Sequence, residues 1–154
     1  MKIISAFALC LICIQIYACN NTNEIEQTNN SENLSNTDSM KLKIKIGTHT
    51  FTATLYNNAT AVAFKAKLPM KINMAELNGN EKYFDLTDNL PTNTSKPGTI
   101  KAGDLMLYGS NTIVLFYKTF STSYSYTLLG RIDSPSGLAA ALGAGNVTVL
   151  FELE

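Results

Sequence analysis

Residues 41–55 read KLKIKIGTHTFTATL. From Lys41 to Ile46 polar and apolar side chains alternate strictly, the period of a strand with one buried face. Gly47 breaks the run, and Thr50 to Leu55 alternates again. Two alternating runs about a glycine predict an antiparallel hairpin and so a β fold. Lysines on the solvent face of the first strand would also oppose edge-to-edge pairing.

Toward the C-terminus the period changes once. Asn58 is a candidate N-cap; Ala61, Phe64 and Leu68 follow at helical spacing, and Pro69 ends the pattern. A short helix is expected over 59–67. Extended segments follow at Met70 to Leu77, around Tyr83 to Leu86, and at Leu105 to Tyr108. Between them, residues 87–99 hold two Pro, one Gly and many Thr, Asn and Ser, the composition of a long loop. Thr112 to Tyr117 is apolar at odd and even positions alike, which predicts a central strand. Tyr126 to Ile132 reads as another strand, Ser134 to Leu142 as a second short helix, and Val147 to Leu153 as the closing strand. About eight strands and two short helices predict an all-β, closed barrel.

Toward the N-terminus lies an address. Lys2 precedes an apolar run from Ile3 to Ile16, then Tyr17, Ala18 and Cys19. A basic start, an apolar core and a small residue before the cut describe a secretory signal. The run is short for a membrane span. Ile16, Ala18 and Cys19 resemble the recognition box of lipoprotein signal peptidases. That likeness implies a signal peptide over 1–18, a lipid on Cys19, and an exported protein held at the cell envelope. An ordinary secretory signal cut before Cys19 is the alternative. Cleavage there removes Cys10 and Cys13 and leaves one cysteine, so the mature chain has no internal disulfide. Residues 20–39, NNTNEIEQTNNSENLSNTDS, cannot bury enough apolar surface to offset chain entropy. They read as a flexible tether, with a reach of roughly 25 Å. The folded domain is expected over 40–154.

Charge excludes some partners. The chain carries 12 basic and 12 acidic residues, no Trp and one His. Neither a basic stripe nor an acidic tail points to nucleic acid. No Gly-rich phosphate loop, HExxH or Ser/His/Asp set is present, so neither a cofactor nor a metal is expected. What remains is an aromatic cluster. Phe116, Phe120, Tyr124 and Tyr126 are interleaved with Ser121, Thr122, Ser123 and Ser125. Rings with a few hydroxyls suit a groove for a small ligand or a peptide; alternatively, alternate rings fill the barrel. Glu81 and Asp104 follow turn residues and are candidates for acid–base work or for accepting backbone N–H bonds.

The order of elements resembles cyclophilin: two strands, a helix, further strands, then YTLLGRI at 126–132 leading into a helix. Leu55 to Ala61, Leu68-Pro69-Met70, NEKY at 80–83, IKAGD at 100–104 and Ser121 to Ile132 look like the bacterial cyclophilin-like fold proteins. The likeness covers nearly all of 40–154. It implies a cyclophilin-like barrel and, as one reading, prolyl isomerase activity. Cyclophilin catalysis relies on an Arg, a Gln, a Trp and a His around an apolar pocket. Here the single Arg, Arg131, matches the basic residue of the turn after the pocket strand, and Tyr126 matches the pocket His. His49 lies in the first hairpin. Three readings follow: a ligand- or peptide-binding module, a weak isomerase of the envelope, or a non-catalytic envelope interaction module.

Overall fold

The computed structural model describes residues 40–154. The expected signal peptide over 1–18, Cys19 and the expected tether over 20–39 lie outside the described residues. Ten strands and two helices follow in chain order. They are β1 (Lys41–Ile46), β2 (His49–Leu55), α1 (Ala59–Lys65), β3 (Met70–Leu77), β4 (Glu81–Asp85) and β5 (Thr99–Ile100). Then come β6 (Asp104–Tyr108), β7 (Thr112–Phe116), β8 (Phe120–Ser121), β9 (Thr127–Ile132), α2 (Leu138–Leu142) and β10 (Val147–Leu153).

Eight strands close an antiparallel barrel in the order β1-β10-β3-β4-β7-β6-β9-β2, and β5 and β8 form a separate two-stranded piece. The opening hairpin pairs Ile44 with Phe51, and β10 takes the other side of β1, pairing Phe151 with Ile44. β1 is therefore not an edge: closure removes the edge that its lysines were expected to protect. Those lysines serve ion pairs instead, Lys41 with Asp133 at 2.7 Å and Lys45 with Glu152 at 2.5 Å. Both pairs lie at the surface, partly exposed to solvent, and contribute little to stability.

Other boundaries differ by a few residues from the sequence reading. α1 ends at Lys65, two residues short, because Lys67 and Leu68 bond back three residues in a tighter turn before Pro69. Asn58 caps it as expected, its Oδ1 accepting from the Ala61 N–H at 2.8 Å. α2 starts at Leu138 rather than near Ser134, since Gly137 before it adopts φ +81°, outside the helical region. β7 ends at Phe116, and Tyr117 leaves the strand to bond Asn80.

Side chains alternate across each strand, and the interior takes one set. Leu42, Ile44, Phe51, Ala53, Met74, Leu105, Leu107, Ile113, Leu115, Val149 and Phe151 belong to the main core with Phe64 of α1 and Leu138 and Leu142 of α2. Phe64 meets Phe151 edge-on at 5.8 Å. Gly130 on β9 lets β2 approach: a Cβ there would stand 2.6 Å from the Thr54 carbonyl oxygen. No L side chain fits that crossing.

Among the described residues one charged side chain is wholly buried. Lys82 of β4 is fully buried. Its Nζ donates to the Glu76 carboxylate, to the Gly143 carbonyl at 2.8 Å and to the Gly145 carbonyl at 2.6 Å. The Tyr117 hydroxyl donates to Glu76 at 2.8 Å, and the Gly79 N–H does so at 2.9 Å. Burial acts to raise the Glu76 pKa, but the Lys82 and Tyr117 hydrogen bonds outweigh it and hold the carboxyl below its usual range. All three ammonium protons are thus used, which is the condition for burying a charge. Replacing Lys82→Met strands Glu76 and two carbonyls. The unfolding free energy is expected to fall by on the order of 3 kcal/mol in a urea titration. An unchanged midpoint would remove this network from the account of stability.

Candidate functional site

The second set of alternating side chains points away from the interior. On β7, Ile113 and Leu115 face the main core, while Val114 and Phe116 join Ile100, Met106 and Tyr126 in a separate buried cluster. This cluster lies on the outer face of the barrel wall. β4 shows the same alternation by register: Glu81, Tyr83 and Asp85 pair with Phe116, Val114 and Thr112. They share the outer face, whereas Lys82, paired with Leu115, faces inward.

A groove of about 550 Å³ crosses this outer face. β4 contributes Glu81, Tyr83 and Asp85, β6 contributes Tyr108, and β7 contributes Thr112 and Val114. The end of β3 supplies Leu77, the β3–β4 turn supplies Asn78 and Asn80, and the segment 120–126 forms the opposite wall. That segment is held by pairing. β8 pairs with β5 through Ile100 and Phe120, and Thr122 N–H donates to the Gly98 carbonyl at 2.9 Å. Ser95 and Tyr126 exchange two backbone hydrogen bonds of 2.9 Å. The long loop over 87–99 is thus the brace of the groove wall.

The sequence candidates fall into two groups. Phe120, Tyr124, Tyr126 and Glu81 all line the groove. Phe116 does not: it is fully buried behind them, with ring centroids 5.8 Å from Phe120 and 5.5 Å from Tyr126. It is the support of the wall rather than part of its surface. Asp104 is also elsewhere. Its carboxylate accepts from the Lys101 N–H at 2.7 Å and faces Arg131 at 3.6 Å, a turn-stabilising role. Glu81 and Asp104 therefore do not act as a pair. His49 is exposed on β2 and stacks on Phe51. Among the described residues no group of His, Cys, Asp and Glu is arranged to hold a metal.

Tyr108 was missed in the sequence. Its ring meets Tyr124 at 6.2 Å and Tyr126 at 5.6 Å, and it is exposed at the groove rim. Tyr83 and Asp85 were missed too. The only sequence signal for them is parity: on β4 the outward side chains have odd numbers, but which parity faces out depends on the register with β7.

The sequence matches the cyclophilin-like family over residues 44–152. The chain belongs to that family. Among solved structures, this cyclophilin-like chain is similar to a hypothetical protein from Archaeoglobus fulgidus, known from a solution structure. The TM-score is 0.56 at 22% identity, over 75% of this chain and 95% of that one. At that identity the likeness concerns the fold alone. No curated protein matches the sequence.

Electrostatically the cyclophilin-like groove is one-sided. Its lining holds two carboxylates, Glu81 and Asp85, and no Lys, Arg or His. Asp85 accepts from the Thr112 hydroxyl at 2.6 Å. Burial, and secondarily the charge of Glu76, pushes the Glu81 carboxyl above its usual range. Burial and the Glu81 charge push the Tyr126 phenol up to about 12, so it is neutral at physiological pH. A raised acid pKa means the folded chain holds that proton more tightly than the unfolded chain. Its contribution to stability is then present below the ordinary value of 4.5 and lost as pH rises through the raised value. Glu81→Gln is expected to raise the melting temperature at pH 7, with the gain vanishing as pH falls below 4.5. A gain that is constant with pH would mean the side chain's ionisation is not the cause.

Proposed function

We propose that this cyclophilin-like domain is a binding module that holds a small ligand or an extended peptide in the outer groove. The groove itself carries the reading: about 550 Å³, walled by Tyr108, Phe120, Tyr124 and Tyr126, with hydroxyls and carboxylates between the rings. That volume falls within the range of ligand sites, as does the mix of aromatic surface and few polar groups. Tyr124 is 62% exposed and Leu77 and Tyr108 are exposed beside it, an apolar rim suited to contact.

Isomerisation ranks below binding. A twisting amide is stabilised by a positioned cationic donor, and the groove lining offers none. Arg131 is engaged with Asp104 on the β6–β9 side. Fold likeness alone does not restore the activity.

The test is a screen of extended-peptide and small-molecule libraries against the isotope-labelled protein by NMR. Binders are expected to shift the signals of Tyr108, Phe120, Tyr124 and Tyr126 together. Tyr124→Ala, at an exposed position, is expected to leave stability within about 0.5 kcal/mol and to weaken such binders roughly tenfold. Binders that act elsewhere, or are indifferent to Tyr124, would reject the groove. A protease-coupled prolyl isomerase assay is expected to give no rate above background.

The reading includes delivery to a membrane surface through a lipid on Cys19, with residues 20–39 as the spacer. Ile16, Ala18 and Cys19 motivate it. Cys19→Ser is expected to abolish incorporation of a labelled fatty acid and to move the protein from the membrane fraction to the soluble one. Unchanged partitioning would leave only an ordinary secretory signal.

A further inference from the structure

Glu81 and Lys82 are neighbours in the chain with opposite fates. Lys82 has three acceptors around it. Glu81 is only 8% exposed, yet neither a hydrogen bond nor an opposite charge from the described residues stabilises its carboxylate. Asn80 beside it also lines the groove, and its Oδ1 is buried without a donor. Asn80 Oδ1 is thus a buried acceptor left unsatisfied, and the Glu81 carboxylate beside it opens to the groove with no donor from the described residues. Around them stand Tyr83, Tyr108, Phe120, Tyr124 and Tyr126.

The imbalance is local. Residues 40–154 carry ten Lys and one Arg against eight acids, yet none of those eleven cations lines the groove. A carboxylate among aromatic rings is the chemistry that recognises a cation, through the ion pair and through the negative ring faces.

We propose that the groove selects an organic cation, an ammonium group on a short apolar stem, with the Glu81 carboxylate as its counter-ion and the tyrosine rings as its walls. The proposal rests on the groove reading above and names the ligand class for it. A bound ammonium supplies the donors that the Glu81 carboxylate lacks, and its positive charge favours the ionised carboxylate that burial disfavours. The apolar stem lies against Phe120 and Val114, which carry no charge. An anionic ligand meets two carboxylates and no compensating cation.

The experiment titrates the purified full chain at fixed ionic strength and follows the groove tyrosines by NMR. The probes are butylammonium, n-butanol and butyrate, together with acetyl-Ala-Lys-Ala-amide and its norleucine counterpart. Saturable shifts with butylammonium and the lysine peptide, and none with the neutral or anionic probes, are expected. Glu81→Gln is expected to weaken cation binding about tenfold or more. Glu152→Gln, which removes an equal charge on β10 away from the groove, is expected to change nothing.

Equal affinity for butylammonium and the lysine peptide supports a free amine as the source. Tighter binding of the peptide supports a peptide-borne lysine. Binding of n-butanol as strong as that of butylammonium, or indifference to Glu81→Gln, overturns the proposal while groove shifts keep the binding reading intact. Cationic probes that move no groove signal also overturn it. The fate of the groove reading is then read from the library screen alone.

Discussion

In β7 every residue from Ile113 to Phe116 is buried, and successive side chains of a strand leave on opposite faces. A wall built on such a strand must be covered twice. Inside, the main core covers Ile113 and Leu115. Outside, the chain has to supply a second layer over Val114 and Phe116, and it does so with Ile100, Tyr126 and Phe120. Each aliphatic or aromatic side chain buried this way contributes about 1.5–3 kcal/mol, enough to hold an otherwise irregular segment in place. The long loop, the β5–β8 pair and the groove wall are consequences of that outer layer.

Covering the outer face incompletely is what makes a site. The layer seals Phe116 and Met106 but stops short of Glu81, Tyr83 and Asp85 on β4, which stay beside open space. Because Lys82 and Glu81 lie on opposite faces, the barrel presents one solved and one unsolved charge. The inward ammonium is saturated by Glu76 and the carbonyls after α2 and joins parts of the fold distant in sequence. The outward carboxylate meets the groove with no partner among the described residues and is held partly out of water, a destabilising arrangement of the kind that functional sites retain. Membership of the cyclophilin-like family goes with the barrel, while the residues that line the groove set its chemistry.

Much of the fold was legible as local pattern. The hairpin at 41–55, the capped helix after Asn58 and the doubly apolar strand at 112–116 each follow from periodicity or capping over a few residues. Errors fell where tertiary contacts override local signals: the Gly137 backbone delayed α2, and ring closure turned β1 from an edge into an interior strand. Phe120, Tyr124 and Tyr126 could be grouped because they are near in sequence. Phe116 looked equivalent to them by composition and differs only in which layer it supports.

The strand alternation and the scarcity of His and Arg are properties of single residues and their spacing, so the sequence alone determined a β barrel and a poor match to the residues of cyclophilin catalysis, and the N-terminal pattern carried the expectation of an address. Register is a relation between distant segments. Pairing of β4 with β7 decided that Glu81 and Tyr83 face the groove while Lys82 faces the core. Bridging of Ser95 to Tyr126 decided that a loop with no periodicity would brace the wall. A shift of one residue in either pairing would send every side chain to the other face, and nothing local in the chain encodes which is chosen.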